Sequence, residues 1–213
     1  MLTVQRTVSW LLLIALCAGA MSCSATDQTT PPAPLSSVTV LNDDASQLRE
    51  DFNRARGSVR LVLIVDPLCA VCLRGMADVN DALLASITDA RLQTFVVHVP
   101  VLGATAKDIP PSMELMHNPN VHHYWNPSGS FGRQVQDAFH LEHEGKPVYA
   151  WDVWMVYAAD ATWPAGTVST PALFMHQLST LSGQPGRPFL DKDAFAAKAR
   201  TLLNSLPSAP TGK

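Results

Sequence analysis

The stretch Arg60 to Val65 reads Arg-Leu-Val-Leu-Ile-Val and stops at Asp66-Pro67. An apolar run of that length, closed by turn residues, predicts a central strand buried on both faces. Immediately after it, Cys72, Met76, Val79, Leu83 and Ile87 recur at steps of four, three, four and four, which is one face of a helix. Residues 91–99 then form a second strand, so the order strand, helix, strand predicts a right-handed parallel unit. Ahead of it, residues 44–56 have helical spacing, with Leu48 and Phe52 four apart. Beyond it, residues 103–128 are rich in Pro, Asn and His, and yield only a short helix around 113–117. Residues 129–140 return to helical spacing, with Phe131, Val135, Ala138 and Phe139 on one side. Residues 150–158 and 172–178 read as third and fourth strands. A closing helix spans 191–203, with Asp191 as its N-cap and Asp193 in its first turn.

The third strand alternates cleanly. Trp151, Val153 and Met155 share one face; Asp152, Trp154 and Val156 share the other. An acid in a strand this apolar needs a partner or an open edge, and His176-Gln177 at the end of the fourth strand is the candidate partner.

The first residues follow a different rule. Arg6 precedes an apolar stretch from Trp10 to Ala20, short for a membrane span and suited to a signal peptide over residues 1–22. An uncleaved short anchor is the competing reading. Ala18-Gly19-Ala20 fits ordinary cleavage, whereas Ala20-Met21-Ser22-Cys23 resembles a bacterial lipobox, with Ala20 where Leu is usual and Cys23 as the lipidated residue. Cysteine parity favours the lipobox: Cys17 leaves with the signal and Cys69 can pair with Cys72, so Cys23 would otherwise be an odd thiol in an oxidising compartment. Residues 23–40 are then the anchor cysteine and a flexible Ser/Thr/Pro linker, 41–206 the folded domain and 207–213 a disordered tail. The expected location is extracytoplasmic, on a membrane facing the periplasm or cell exterior. Formal net charge is −3 and no basic stripe is present, which argues against nucleic acid as a partner.

Cys69-Ala70-Val71-Cys72 stands where the first core strand meets the first core helix. There Cys69 faces free backbone N–H groups and the positive end of the helix dipole, both of which stabilise a thiolate. Cys72 lies almost one turn on, on the apolar stripe. Cys69 is therefore the expected nucleophile and Cys72 the resolving thiol. A structural zinc site wants four ligands, commonly from two such pairs, and no second pair exists.

The motif and the element order over roughly residues 55–205 resemble the thioredoxin superfamily. The resemblance implies an α/β fold with a central mixed sheet flanked by helices, disulfide exchange with protein thiols, a redox partner protein, no organic cofactor and a monomer. It also implies a cis-proline just before the third strand, opposite the cysteines. Pro147 is the first candidate, Pro171 the second, and absence of such a proline the third reading. The chain departs from thioredoxins in its Ala70-Val71 dipeptide, in lacking Trp before Cys69, and in carrying Leu63 where a buried acid is usual. Asp66 is nearer, and is expected to cap the helix. Two rivals remain open. One is a copper chaperone using Cys69, Cys72 and His123, from a segment where His117, His122 and His123 accompany Met113 and Met116. The other is a non-catalytic binding module.

Overall fold

A computed structural model of the chain describes residues 38–116 and 118–207. In chain order the elements are β1 (Val38–Val40), α1 (Ser46–Arg54), β2 (Val59–Val65), α2 (Ala70–Ala82), β3 (Leu92–His98), α3 (Pro110–Met113), β4 (Val121–Trp125), α4 (Ser130–Phe139), β5 (Glu142–His143), β6 (Lys146–Pro147), β7 (Val153–Tyr157), β8 (Leu173–His176) and α5 (Lys192–Asn204). The signal segment, the lipobox with Cys23, His117 and residues 208–213 lie outside the described residues.

Six strands form one sheet in the order β1-β4-β3-β2-β7-β8, with β5 and β6 a separate short hairpin. β2 is central: it runs parallel to β3, with Val65 opposite His98, and antiparallel to β7, with Leu63 opposite Trp154. All seven β2 residues are buried, as an uninterrupted apolar run requires. Its one charged member, Arg60, donates to the carbonyls of Phe52, Ala158 and Ala161 and lies over the Phe52 ring, 4.3 Å from its centroid. Both terminal nitrogens of the guanidinium are thus hydrogen-bonded, while Nε is buried without a partner.

The two faces of the sheet bury separate cores. On one, Leu48 and Phe52 of α1 and Phe131 and Val135 of α4 pack on Val62, Ile64, Val153 and Met155. On the other, Cys72, Met76 and Val79 of α2, with Phe195 and Ala199 of α5, pack on Leu61, Leu63, Trp154 and Val156. The alternation read from β7 is the alternation observed. α5 starts where expected, with Asp191 accepting from the N–H groups of Asp193 and Ala194.

Two strands of the six-stranded sheet, and both strands of the short hairpin, are not expected from the sequence. β1 pairs in parallel with β4, Val38 opposite His123, so the sheet takes up residues that composition had assigned to the linker. β4 itself, Val-His-His-Tyr-Trp, lies inside the segment left without a strand. Its histidines obscure an ordinary half-buried pattern, because His123 points inward to a polar partner rather than to solvent.

Candidate active site

β2 ends at Val65 and the chain turns through Asp66-Pro67-Leu68 into α2. Asp66 does not cap α2, contrary to expectation. Its Oδ1 accepts the Leu68 N–H at 2.8 Å and its Oδ2 accepts the Leu102 N–H at 2.6 Å, tying the turn to the loop after β3. The N-cap is Cys69, whose Sγ accepts the Cys72 N–H at 3.2 Å. A sulfur placed there faces the unpaired amides that begin a helix. Both cysteines are free thiols. Cys69 is 7% exposed and Cys72 is fully buried, so Cys69 is the outer of the two sulfurs. Leu68, Val71, Val101 and Leu102 stand exposed in the segments carrying this turn and its tied loop.

Asp152 completes the group. One carboxylate oxygen of Asp152 and the two sulfurs all lie within 4.8 Å of one another, and all three residues are buried. Asp152 precedes β7 in a left-handed conformation (φ 51°), which Asp tolerates better than most residues. Its Oδ1 accepts the Trp154 Nε1–H at 3.2 Å. Burial pushes its carboxyl up to about 6, partly offset by hydrogen bonds from Trp154 and Cys72. Burial, reinforced by the Asp152 charge and by Cys69, drives the Cys72 thiol well above its usual range. Leu63, where thioredoxins have an acid, is an apolar part of the core beneath the cysteines. The acid beside the cysteines is instead Asp152, just ahead of β7.

The proposed partner of Asp152 needs correction. The Gln177 N–H bonds the Asp152 backbone carbonyl at 3.0 Å, but His176 turns away, with Nε2 3.0 Å from the Arg187 carbonyl and Nδ1 accepting the Leu178 N–H. The prolines are also placed differently. Every described peptide bond is trans, so neither Pro147 nor Pro171 is a cis-proline in this structure. Pro147 sits in the β5–β6 hairpin opposite Glu142, behind the Glu144-Gly145 turn, and Pro171 lies ahead of β8. Trp151-Asp152 holds the place just before β7.

His123 is not beside the cysteines as a third ligand. Its Nε2 lies 3.3 Å from the Met116 carbonyl, and its Nδ1 lies 3.1 Å from His98 Nε2. A carbonyl only accepts, so His123 carries its proton on Nε2 and accepts at Nδ1 from His98. Both ring nitrogens are thereby engaged. The imidazoles stack in the interior at 5.4 Å between centroids, with Ser112 Oγ 3.5 Å from His98 Nδ1 and His122 acting electrostatically on His123. Burial lowers His123 to about 4, and burial together with His123 lowers His98 well below the ordinary value. An unfolded histidine titrates near 6.5. Below that pH the unfolded chain therefore binds more protons than the folded one, and stability that is complete above about pH 6.5 is lost as the pH falls toward the folded values. Each histidine contributes at most about 1.4 kcal/mol per pH unit in that window. Asp152 acts in the opposite sense over the same window, because its raised carboxyl takes up a proton in the folded state first. The histidine contribution is therefore read by difference: in urea unfolding between about pH 7 and 5, His123→Gln should lose less stability on acidification than the parent, and an equal slope in the variant would refute the assignment.

Among the clefts lined by described residues, one adjoins the site and a larger one does not. A cleft of about 280 Å³ includes Val101, Arg133, Tyr149 and Trp151, and so adjoins the loop tied to Asp66 and the residue before Asp152. A larger one, about 510 Å³, opens around Asp51, Gln93 and His122 and shares no residue with the cysteine site.

A Cys-x-x-Cys at the junction of β2 and α2, with parallel β3 on one side and antiparallel β7-β8 on the other, decides the architecture. The fold is thioredoxin-like. No protein-family profile and no curated protein sequence matches the chain. Solved structures do. A secreted Mycobacterium tuberculosis disulfide oxidoreductase is 11% identical, with 70% of this chain and 85% of that one aligned at a TM-score of 0.43. The exposed lipoprotein thioredoxin of Streptococcus pneumoniae is 13% identical, over 70% and 88%, at 0.41. A SCO1/SenC family lipoprotein of Bacillus anthracis is 11% identical, over 70% and 83%, at 0.42.

Proposed function

We propose that the protein is an extracytoplasmic thiol–disulfide oxidoreductase acting on protein thiols through Cys69 and Cys72. The observation that carries this reading is the Cys69 sulfur at the N-cap of α2, accepting the Cys72 N–H, with the Cys72 sulfur buried behind it. In the reducing direction the Cys69 thiolate attacks one sulfur of a substrate disulfide. A Cys69–substrate S–S bond forms, the substrate bond breaks, and the second substrate sulfur leaves as a thiol after taking up a proton. Cys72 then attacks the Cys69 sulfur, its proton passing to the first substrate sulfur, which leaves as a thiol. The domain retains a Cys69–Cys72 disulfide. The reverse sequence oxidises a substrate dithiol, and the redox partner protein sets the direction.

Exposed Leu68, Val71, Val101 and Leu102 offer apolar surface near the outer sulfur, suited to an extended peptide rather than a charged metabolite. No organic cofactor enters this chemistry. Lipidation at Cys23 would hold the domain at a membrane as a monomer, with residues 24–37 as the tether; among the described residues no helix is long and apolar enough to cross a membrane.

A glutathione redox titration with thiol trapping tests the reading. A reversible two-electron transition between about −270 and −120 mV is expected, the range of known thiol oxidoreductases. A pair that stays oxidised below about −300 mV would instead be a structural disulfide, and the proposal would fall.

A further inference from the structure

We infer that the reduced protein holds a thiophilic divalent metal ion of the Zn²⁺ class on Cys69 Sγ, Cys72 Sγ and a carboxylate oxygen of Asp152, with a fourth position open toward solvent on the Cys69 side. This binding goes beyond thiol exchange and requires that the two sulfurs be reduced and release their protons as the ion binds. The donor atoms lie within 4.8 Å of one another. Ligand atoms around a tetrahedral zinc ion, at bonds of about 2.0 to 2.3 Å, sit roughly 3.3 to 3.8 Å apart. Small side-chain rotations therefore suffice to close the set.

The electrostatics lack a cation. Among the described residues, the charged groups acting on Cys72 are Asp152 and Cys69, and no positive side chain acts on Asp152. Two thiols and a carboxyl are buried together with no lysine, arginine or histidine among them. A dication would bind there by displacing their protons to solvent. The ligands are also held from behind. Trp154 Nε1–H orients the Asp152 carboxylate, and the Cys72 amide holds the Cys69 sulfur, the kind of outer support that ligating groups need. Donor chemistry selects the ion: two thiolates suit either Zn²⁺ or Cu(I), but a carboxylate is a hard oxygen ligand that favours the divalent ion. His123 supplies no fourth ligand, because His98 and the Met116 carbonyl occupy both of its nitrogens. Three protein ligands and an open position are the pattern of a site that can exchange its fourth ligand.

Anaerobic titration of the reduced protein with Co²⁺, followed by displacement with Zn²⁺, tests the inference. One equivalent of Co²⁺ should produce sulfur-to-cobalt charge transfer in the near ultraviolet and strong visible bands of a tetrahedral ion. Zn²⁺ should erase both. Cys72→Ser should abolish the charge-transfer band. Asp152→Ala and the isosteric Asp152→Asn should each weaken Zn²⁺ binding at least tenfold in competition with a chromophoric chelator, with far-ultraviolet circular dichroism confirming that both variants are folded. His123→Gln should bind as the parent does. Absence of charge transfer would overturn the inference, as would unchanged affinity in both folded Asp152 variants. Exchange activity is not among these readouts, so a failed redox titration with intact Co²⁺ spectra would remove the oxidoreductase reading and leave the metal site standing.

Discussion

A Cys72→Ser variant is expected to accumulate a stable mixed disulfide with its protein substrates, whereas Cys69→Ser should form none and lose exchange entirely. The difference follows from depth. Cys69 is the outer sulfur, seated at the start of α2, and Cys72 is fully buried behind it. Without the Cys72 sulfur, the bond between Cys69 and substrate has no internal thiol to break it, so the intermediate survives until an external thiol arrives. Non-reducing electrophoresis of proteins captured after rapid acid quenching would reveal the adducts. If Cys69→Ser trapped substrates and Cys72→Ser did not, the roles would be reversed. If neither did, the site would not be an exchange site.

Trp154→Ala carries the largest expected structural cost. The indole is fully buried between the sheet and α2, lies opposite Leu63 across the strands, and donates to Asp152. Gly75 of α2 is where the two surfaces meet: a Cβ there would come within 2.5 Å of the Trp154 ring and of Gln177 Oε1. A ring packed that closely leaves a cavity that neighbours cannot fill. The loss should be about 3 to 5 kcal/mol, as for other buried aromatic truncations. The midpoint of thermal unfolding should fall by roughly 6 to 20 °C at two to four degrees per kcal/mol for a domain of this size. A fall of less than about 3 °C would mean that α2 closes over the vacancy, and that the Gly75 contact is not the constraint described here.

How much of this could be read from the residues depends on where each signal resides. β2, α2, β3, β7 and the Cys-x-x-Cys junction were legible because periodicity and an uninterrupted apolar run are local properties. β4 was not, because its inward position is occupied by His123, which is buried only through a partner 25 residues away on β3. β1 is three residues long, with Thr39 and Val40 exposed, and gains its strand character from pairing with β4 rather than from composition. The site was half legible. Two sulfurs three positions apart announce themselves. Asp152 announced itself only as an acid in an apolar strand, and the partner sought for it was along the sheet instead of across to α2. The prolines misled for a related reason: the place before β7 is taken by a residue whose polarity suggested packing, and nothing local tells a turn proline from one facing a cysteine pair.

Asp66 shows how the site's rim is made firm. One carboxylate oxygen is committed to the turn that carries Leu68 and the other to the loop that carries Leu102. The two segments are thereby joined through one side chain into a single lip. An incoming chain then meets a surface already set in shape, and little further freedom has to be surrendered at the moment of docking.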